Sequence, residues 1–161
     1  MTSITPCLWF DGRAEEAARF YTGVFPAARI DEVVRWPLDP PFPGAAGAGS
    51  VLLVRFTIAG QGFMALDGGP QFKHSEALSL AVRCADQAEV DHYWARLTEG
   101  GGEPGQCGWL KDRFGVSWQV VPAVLDALIG SADTARAARV MQALWPMGKL
   151  DVAALEAAAA G

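Results

Sequence analysis

Residues 105–122 read GQCGWLKDRFGVSWQVVP, and their pattern is that of a β-hairpin. A strand runs through Trp109 to Lys111, Asp112-Arg113-Phe114-Gly115 makes the turn, and a second strand runs from Val116 to Val121. Gly115 suits the left-handed position of a tight turn, Asp112 suits its entry, and Pro122 stops the ladder. Alternation puts Ser117, Gln119 and Val121 on one face of the second strand and Trp118 and Val120 on the other. The apolar face wants a core. The face with a hydroxyl and an amide suits a sheet that lines a cleft.

Upstream of the hairpin, two similar halves follow one another. Ile4 to Phe10 is an apolar run with β character, and Asp11 is placed to cap a helix that carries Glu15 and Glu16 in its first turn. Ala14, Ala17, Ala18, Tyr21 and Phe25 form its inward stripe, Phe20 and Tyr21 brace it against a sheet, and Pro26 ends it. Arg29 to Trp36, Val51 to Ala59 and Phe63 to Asp67 read as strands, the last two joined through Gly60-Gln61-Gly62. Between the first two lies PLDPPFPGAAGAGS, residues 37–50, which is either a connector or a loop over a pocket. Gly68-Gly69-Pro70 is a plain turn, since no phosphate-loop pattern surrounds it.

The second half opens with a strand from Leu78 to Cys84. Asp86 caps a helix to about Leu97 with Val90, Trp94 and Leu97 inward, and Gly100-Gly101-Gly102 stops it before the hairpin. Beyond Pro122 the spacing is helical. One stripe is Val124, Leu125, Leu128 and Ile129, another is Ala138, Met141, Leu144 and Trp145, and an alanine-rich helix starts at Asp151. These stripes need burial on the domain or on a second subunit.

Two stretches carry a family resemblance. WLKDRFGVSWQVVP resembles the last hairpin of the vicinal oxygen chelate superfamily, the glyoxalase, bleomycin-resistance and dioxygenase relatives. CLWFDGRAEEAARFYTGVFP, residues 7–26, looks like that superfamily's opening strand and helix. The nearer match is its PhnB-like branch, often labelled demethylubiquinone methyltransferase. The resemblance implies an α+β fold of two βαβββ modules, about 1–70 and 71–122, whose curved mixed sheets form one cleft, with 123–161 as a C-terminal helical extension. It also implies a homodimer.

Metal-using members of the superfamily place His or Glu ligands at four strand positions. Carried over, these fall on Pro6, near Ala65, near Ser79 and on Gln119. Proline and alanine have no donor, and Ser and neutral Gln are poor ligands for Zn²⁺, Fe²⁺ or Mn²⁺, so the expectation is no metal and no cofactor. His74, in the loop QFKHSE, and His92, off the stripe of its helix, read as solvated and show no ligand spacing. Asp67 and Glu103 have no second carboxylate at an interpretable spacing. The methyltransferase label lacks its usual motif too, because DGRAEEA follows the first strand where a glycine-rich loop would be needed.

Composition narrows the rest. The 161 residues carry a formal charge of −5, which offers no basic patch to nucleic acid or anionic membrane. No run is long enough to span a bilayer, and no signal sequence leads the chain, so a soluble cytoplasmic protein is expected. Cys7, Cys84 and Cys107 show no CxxC pairing and read as free, buried thiols. The strand alternation leaves Arg55, Thr57, Asp67, Ser79, Arg83, Ser117 and Gln119 on faces opposite the apolar ones, with Leu53, Phe63 and Val121 as cleft wall. A cleft of that kind suits a small molecule, aromatic or anionic. The first expectation is therefore a metal-independent small-molecule binding protein. The alternatives are an enzyme using Gln119, Ser79 and Asp67, and a structural or regulatory homodimer whose cleft its own side chains fill.

Overall fold

The computed structural model describes residues 2–41, 46–130 and 132–161 and divides into two compact units, Met1–Lys73 and His74–Gly161. Part of the proline- and glycine-rich connector, residues 42–45, lies outside the described residues.

The first unit runs β1 (Cys7–Phe10), α1 (Ala14–Val24), β2 (Arg29–Arg35), β3 (Val51–Ile58) and β4 (Gln61–Asp67). Its sheet has the order β1-β4-β3-β2, parallel between β1 and β4 and antiparallel elsewhere. The β3–β4 hairpin turns on Ala59 and Gly60, at φ 47 and 78°, so β4 starts at Gln61, two residues before the Phe63 that the glycine spacing indicates. Two consecutive positive φ values are what a two-residue turn matched to strand twist requires. One face of the sheet takes α1. Tyr21 stacks on Phe56 at 5.9 Å and Phe56 on Phe63 at 5.4 Å, with Leu8, Val54 and Ala65 closing the layer. Such ring pairs add to the burial of their own large apolar surface.

The helix start corrects the sequence reading. Asp11 does not cap α1; the N-cap residue is Arg13, whose side chain makes no capping bond. The acceptor comes from the end of β4, where Asp67 Oδ1 takes the Ala14 N–H at 2.9 Å. A carboxylate there meets both an orphan backbone donor and the positive end of the helix dipole.

The second unit repeats the order with β5 (Ser79–Cys84), α2 (Gln87–Thr98), β6 (Glu103–Pro104), β7 (Trp109–Lys111) and β8 (Ser117–Pro122), in a sheet ordered β5-β8-β7-β6. Two βαβββ units with mixed four-stranded sheets make this the expected α+β fold. Asp86 caps α2 through the Glu89 N–H at 3.0 Å, as its local sequence indicates. The buried stripe of α2 is Val90, Tyr93 and Leu97; Trp94 is only half-buried. Opposite it lie Leu110, Trp118 and Val120.

The helices α3 (Val124–Ile129), α4 (Thr134–Leu144) and α5 (Val152–Ala160) belong to this same unit. Leu125, Leu128, Val140, Leu144, Leu150, Leu155 and Ala159 form their core, and Val121, Cys107 and Met147 pack against it. The stripe of α4 is thus out of phase with the sequence reading: Ala138 and Trp145 are exposed, and Val140 faces in. Ile129 is exposed as well. Burial within the chain removes the C-terminal stripes as a reason for a second subunit.

Candidate functional site

Strand pairing sets which side chains share a face. In the first unit Arg55 opposes Met64, while Phe56 opposes Phe63 and Val54 opposes Ala65. Arg55 and Thr57 therefore lie on the face away from α1, as expected. Arg55 pairs with Glu32, and the Thr57 hydroxyl donates to Asp31 at 2.7 Å. Phe63 and Asp67 do not join them. The period of two puts Phe63, Ala65 and Asp67 on the helix side, where Phe63 is 7% exposed. Ala65, the second carried-over ligand position, faces that core, and the open face presents Met64 and Leu66 in its place.

Burial pushes the Asp67 carboxyl above its ordinary range, against the opposing pull of the Ala14, Arg13 and Gly12 backbone. Beside it a cavity of about 230 Å³ is lined by Asp11, Glu15, Glu16 and Asp67 with the Trp36 ring. Ala46 and Ser50, from the loop 37–50, also line it. Glu15 is bound by Arg19 and Arg35, and Glu16 by Arg13. The Arg19 hydrogen bond, with Arg35 nearby, holds Glu15 below the usual carboxylate range.

In the second unit the polar face is assembled by the hairpin. Ser79 pairs with Ser117, Ala81 with Gln119 and Arg83 with Val121 across the parallel ladder. Lys111 opposes Ser117 and Trp109 opposes Gln119 across the antiparallel one. Ser79, Arg83, Ser117 and Gln119 thus share one face, together with Trp109 and Lys111, which the sequence reading passed over although their alternation in WLK places them there. Gln119 Nε2 donates to Ser79 Oγ at 2.9 Å. Lys111 pairs with Glu76, which raises the lysine and lowers the glutamate from their ordinary values. Arg83 is held by Asp126 of α3 and reaches the Ala123 carbonyl at 3.4 Å. Arg55, Asp67 and Arg83 therefore take three separate partners and make no network with one another.

Ser117 stands apart. It is 1% exposed, and its Oγ has no hydrogen-bond partner among the described residues. Leaving a buried hydroxyl unpaired costs about 1–3 kcal/mol. No group of three His, Cys, Asp or Glu side chains among the described residues is arranged to hold a metal ion. Of the three cysteines only Cys84 is buried, its pKa pushed up to about 11 by burial and by Glu89 and Asp86; Cys7 is exposed as a residue, although partial burial of its thiol raises it too, and Cys107 is half-buried. His92 is exposed on α2, edge-on to Tyr93 at 5.0 Å, whereas His74 is half-buried in its loop.

Comparison with known proteins comes from a family model and from solved structures. The model described as 3-demethylubiquinone-9 3-methyltransferase matches residues 2–121. A PhnB protein from Bacillus cereus, titled as such a methyltransferase, is 35% identical, with a TM-score of 0.66 over 76% of this chain and 100% of its own. Protein PA1353 from Pseudomonas aeruginosa shares the fold at 24% identity, with a TM-score of 0.62 over 76% of this chain and 98% of that one. The fosfomycin resistance protein FosX of Listeria monocytogenes, solved with Mn(II) and sulfate, shares it at 15% identity and TM-score 0.52, over 78% and 92% of the two chains. No curated protein matches the chain.

Proposed function

The chain belongs to the 3-demethylubiquinone-9 3-methyltransferase family, the PhnB-like branch of the vicinal oxygen chelate superfamily, and from that premise we propose that it is a metal-independent small-molecule binding protein. Its ligand rests on the polar face of the second sheet. The observation that carries this reading is the Gln119–Ser79 bond at 2.9 Å beside the unpartnered Ser117 hydroxyl. Convergent polar groups of which one lacks a partner are what a small-molecule site offers.

Donor chemistry separates this reading from the metal-using members of the superfamily. Pro6, Ala65, Ser79 and Gln119 supply no imidazole or carboxylate, and Ala65 points into the helix-side core. Acid–base catalysis through Asp67 is disfavoured, because that carboxylate is engaged at the N-terminus of α1. The methyltransferase label finds no support in the first strand–helix junction, where Asp11-Gly12-Arg13 replaces a glycine-rich loop. A homodimer belongs to the same proposal: Ile4, Leu38, Phe72 and Leu78 are exposed apolar side chains that a second copy can cover. So does a cytoplasmic location; no helix among the described residues is long and apolar enough to cross a membrane.

Thermal-shift screening of purified protein against small metabolites and divalent metals tests the reading. An organic ligand should raise the Tm, and Gln119→Ala should abolish the shift. Stoichiometric Zn, Fe or Mn in the purified protein, removed by chelator with loss of stability, would overturn it. Light scattering checks the dimer, and a monomer at micromolar concentration would remove that part.

A further inference from the structure

The stretch that leads into β7 is held in an uncommon backbone shape. The Trp109 N–H donates to the Gln106 carbonyl at 3.0 Å, which closes a four-residue turn with Cys107 and Gly108 at its centre. Both central residues have positive φ, 56 and 81°. Asparagine and glycine favour such a pair of values, whereas the Cβ of a cysteine crowds the carbonyl that follows it. Gly108 admits no side chain: a Cβ there would sit 2.8 Å from the Val120 carbonyl oxygen and 3.2 Å from Leu150. A turn of this kind persists where its surroundings over-determine it.

Those surroundings are the segment between α4 and α5. Met147 and Gly148 accept the Cys107 and Gly108 N–H groups through successive carbonyls at 2.7 and 2.8 Å, while the Gly108 carbonyl accepts from Val120 of β8 at 2.8 Å. The turn is bonded to the sheet on one side and to the C-terminal extension on the other. The extension is fastened in turn to α2. There the Gln87 side-chain amide donates its Nε2–H to the Leu150 carbonyl at 3.2 Å and accepts the Val152 N–H on Oε1 at 2.8 Å. Leu150 is fully buried between these bonds, and Lys149 pairs with Asp91 beside them.

Trp109 follows the turn directly, and it opposes Gln119 across the ladder. We propose that residues 147–152 are a clasp by which the C-terminal helices hold this turn, and through it Trp109, in position on the candidate binding face. The clasp lies beyond residues 2–121, which the family model matches, so the support of the face includes a part that this chain adds to the matched portion. Its use in binding rests on the reading above. The mechanical link itself is tested without a ligand.

Hydrogen exchange and NMR spectra of the full-length protein read that link. Gln87→Ala removes both bonds of the amide. Exchange at the Cys107 and Gly108 amides should then speed by about tenfold, and the Trp109 indole N–H signal should move, while β3 and β4 of the first unit keep their protection. Val152→Pro removes one of the two bonds from the other side. Val152 is the first residue of α5, where proline is tolerated, and Asp151 before it has the extended backbone that a proline requires. This variant should act on the same amides by about threefold, and it carries the test if Gln87→Ala does not fold. An equal acceleration at all amides of 74–161 would mean that Gln87 only stabilises the unit, and would overturn the clasp. Unchanged exchange at Cys107 and Gly108 in both variants would overturn it too. Faster exchange there with an unmoved Trp109 signal would overturn the positioning of Trp109. A metabolite screen without hits changes none of these outcomes, so failure of the clasp and failure of the binding reading are told apart.

Discussion

The indole of Trp118 donates its Nε1–H to Asp112 Oδ2 at 2.8 Å, joining the core strand of the second sheet to the turn that precedes it. The other oxygen, Oδ1, accepts the Phe114 and Val116 N–H groups at 2.8 and 3.1 Å. Asp112 is 3% exposed and Trp118 2%, so one carboxylate fixes turn, register and the largest core side chain together. Since register decides which face Ser117 and Gln119 occupy, this pair positions the candidate site.

Asp112→Ala should destabilise the protein by about 3 kcal/mol, because three buried donors lose their acceptor and hydrogen bonds to a charged group are the stronger kind. Asp112→Asn should recover only part, as its amide can turn an N–H toward the indole donor. Urea unfolding of both variants checks this. Equal stability of Asp112→Ala and wild type would contradict the role given to the carboxylate.

Gly68 lies against the first strand's tryptophan: a Cβ built there falls 2.2 Å from the Trp9 ring, whose Nε1 donates to the Gly69 carbonyl at 2.8 Å. Gly68→Ala should displace the indole, at a cost of about 1–3 kcal/mol for overpacking, and shift tryptophan emission. The same substitution at Gly62, where a Cβ meets nothing within 4 Å, should leave the emission unchanged. Identical spectra for the Gly68 variant and wild type would defeat the argument.

How much of this was legible in the chain follows from where each partner lies. The faces of Ser117, Trp118, Gln119 and Val120 were readable because polar and apolar residues alternate there. The Asp86 cap was readable because its donor, Glu89, is three residues away. Asp67 was misplaced for the opposite reason: its partner Ala14 is 53 residues distant, and Phe63-Met64-Ala65-Leu66 is apolar on both faces and hides its phase. Alanines on all sides of α4 left its inward stripe equally undetermined. The Ser117 hydroxyl was visible as a candidate, but its lack of a partner is a property of the folded neighbourhood.

Asp67 gives a pH signature. Burial holds its carboxyl above the ordinary range, so the folded state binds that proton more tightly than the unfolded chain does. The resulting stability is fully present below the unfolded pKa, at about 4, and is lost as pH rises through the higher folded value. Measured against Asp67→Asn, which cannot titrate, the wild type should lose relative stability over the interval that opens at about pH 4 and closes once pH has passed the raised folded value. A stability difference that stays flat or grows over that interval would show that the folded pKa is not raised.

The C-terminal helices lie beyond residues 2–121, which the family model matches. Their packing still reaches the sheet, since Val121 and Cys107 touch the cluster that holds Leu155 at 0% exposure. Two substitutions separate the observed packing from the helical spacing alone. Leu155→Ala empties a core position and should cost about 2–5 kcal/mol. Trp145, which the spacing placed inward, is 59% exposed, so Trp145→Ala should stay within about 0.5 kcal/mol of wild type. Denaturant unfolding of the two variants decides between the arrangements, because a costly Trp145→Ala beside a neutral Leu155→Ala would mean that α4 and α5 bury the opposite faces, or that a second subunit covers Trp145.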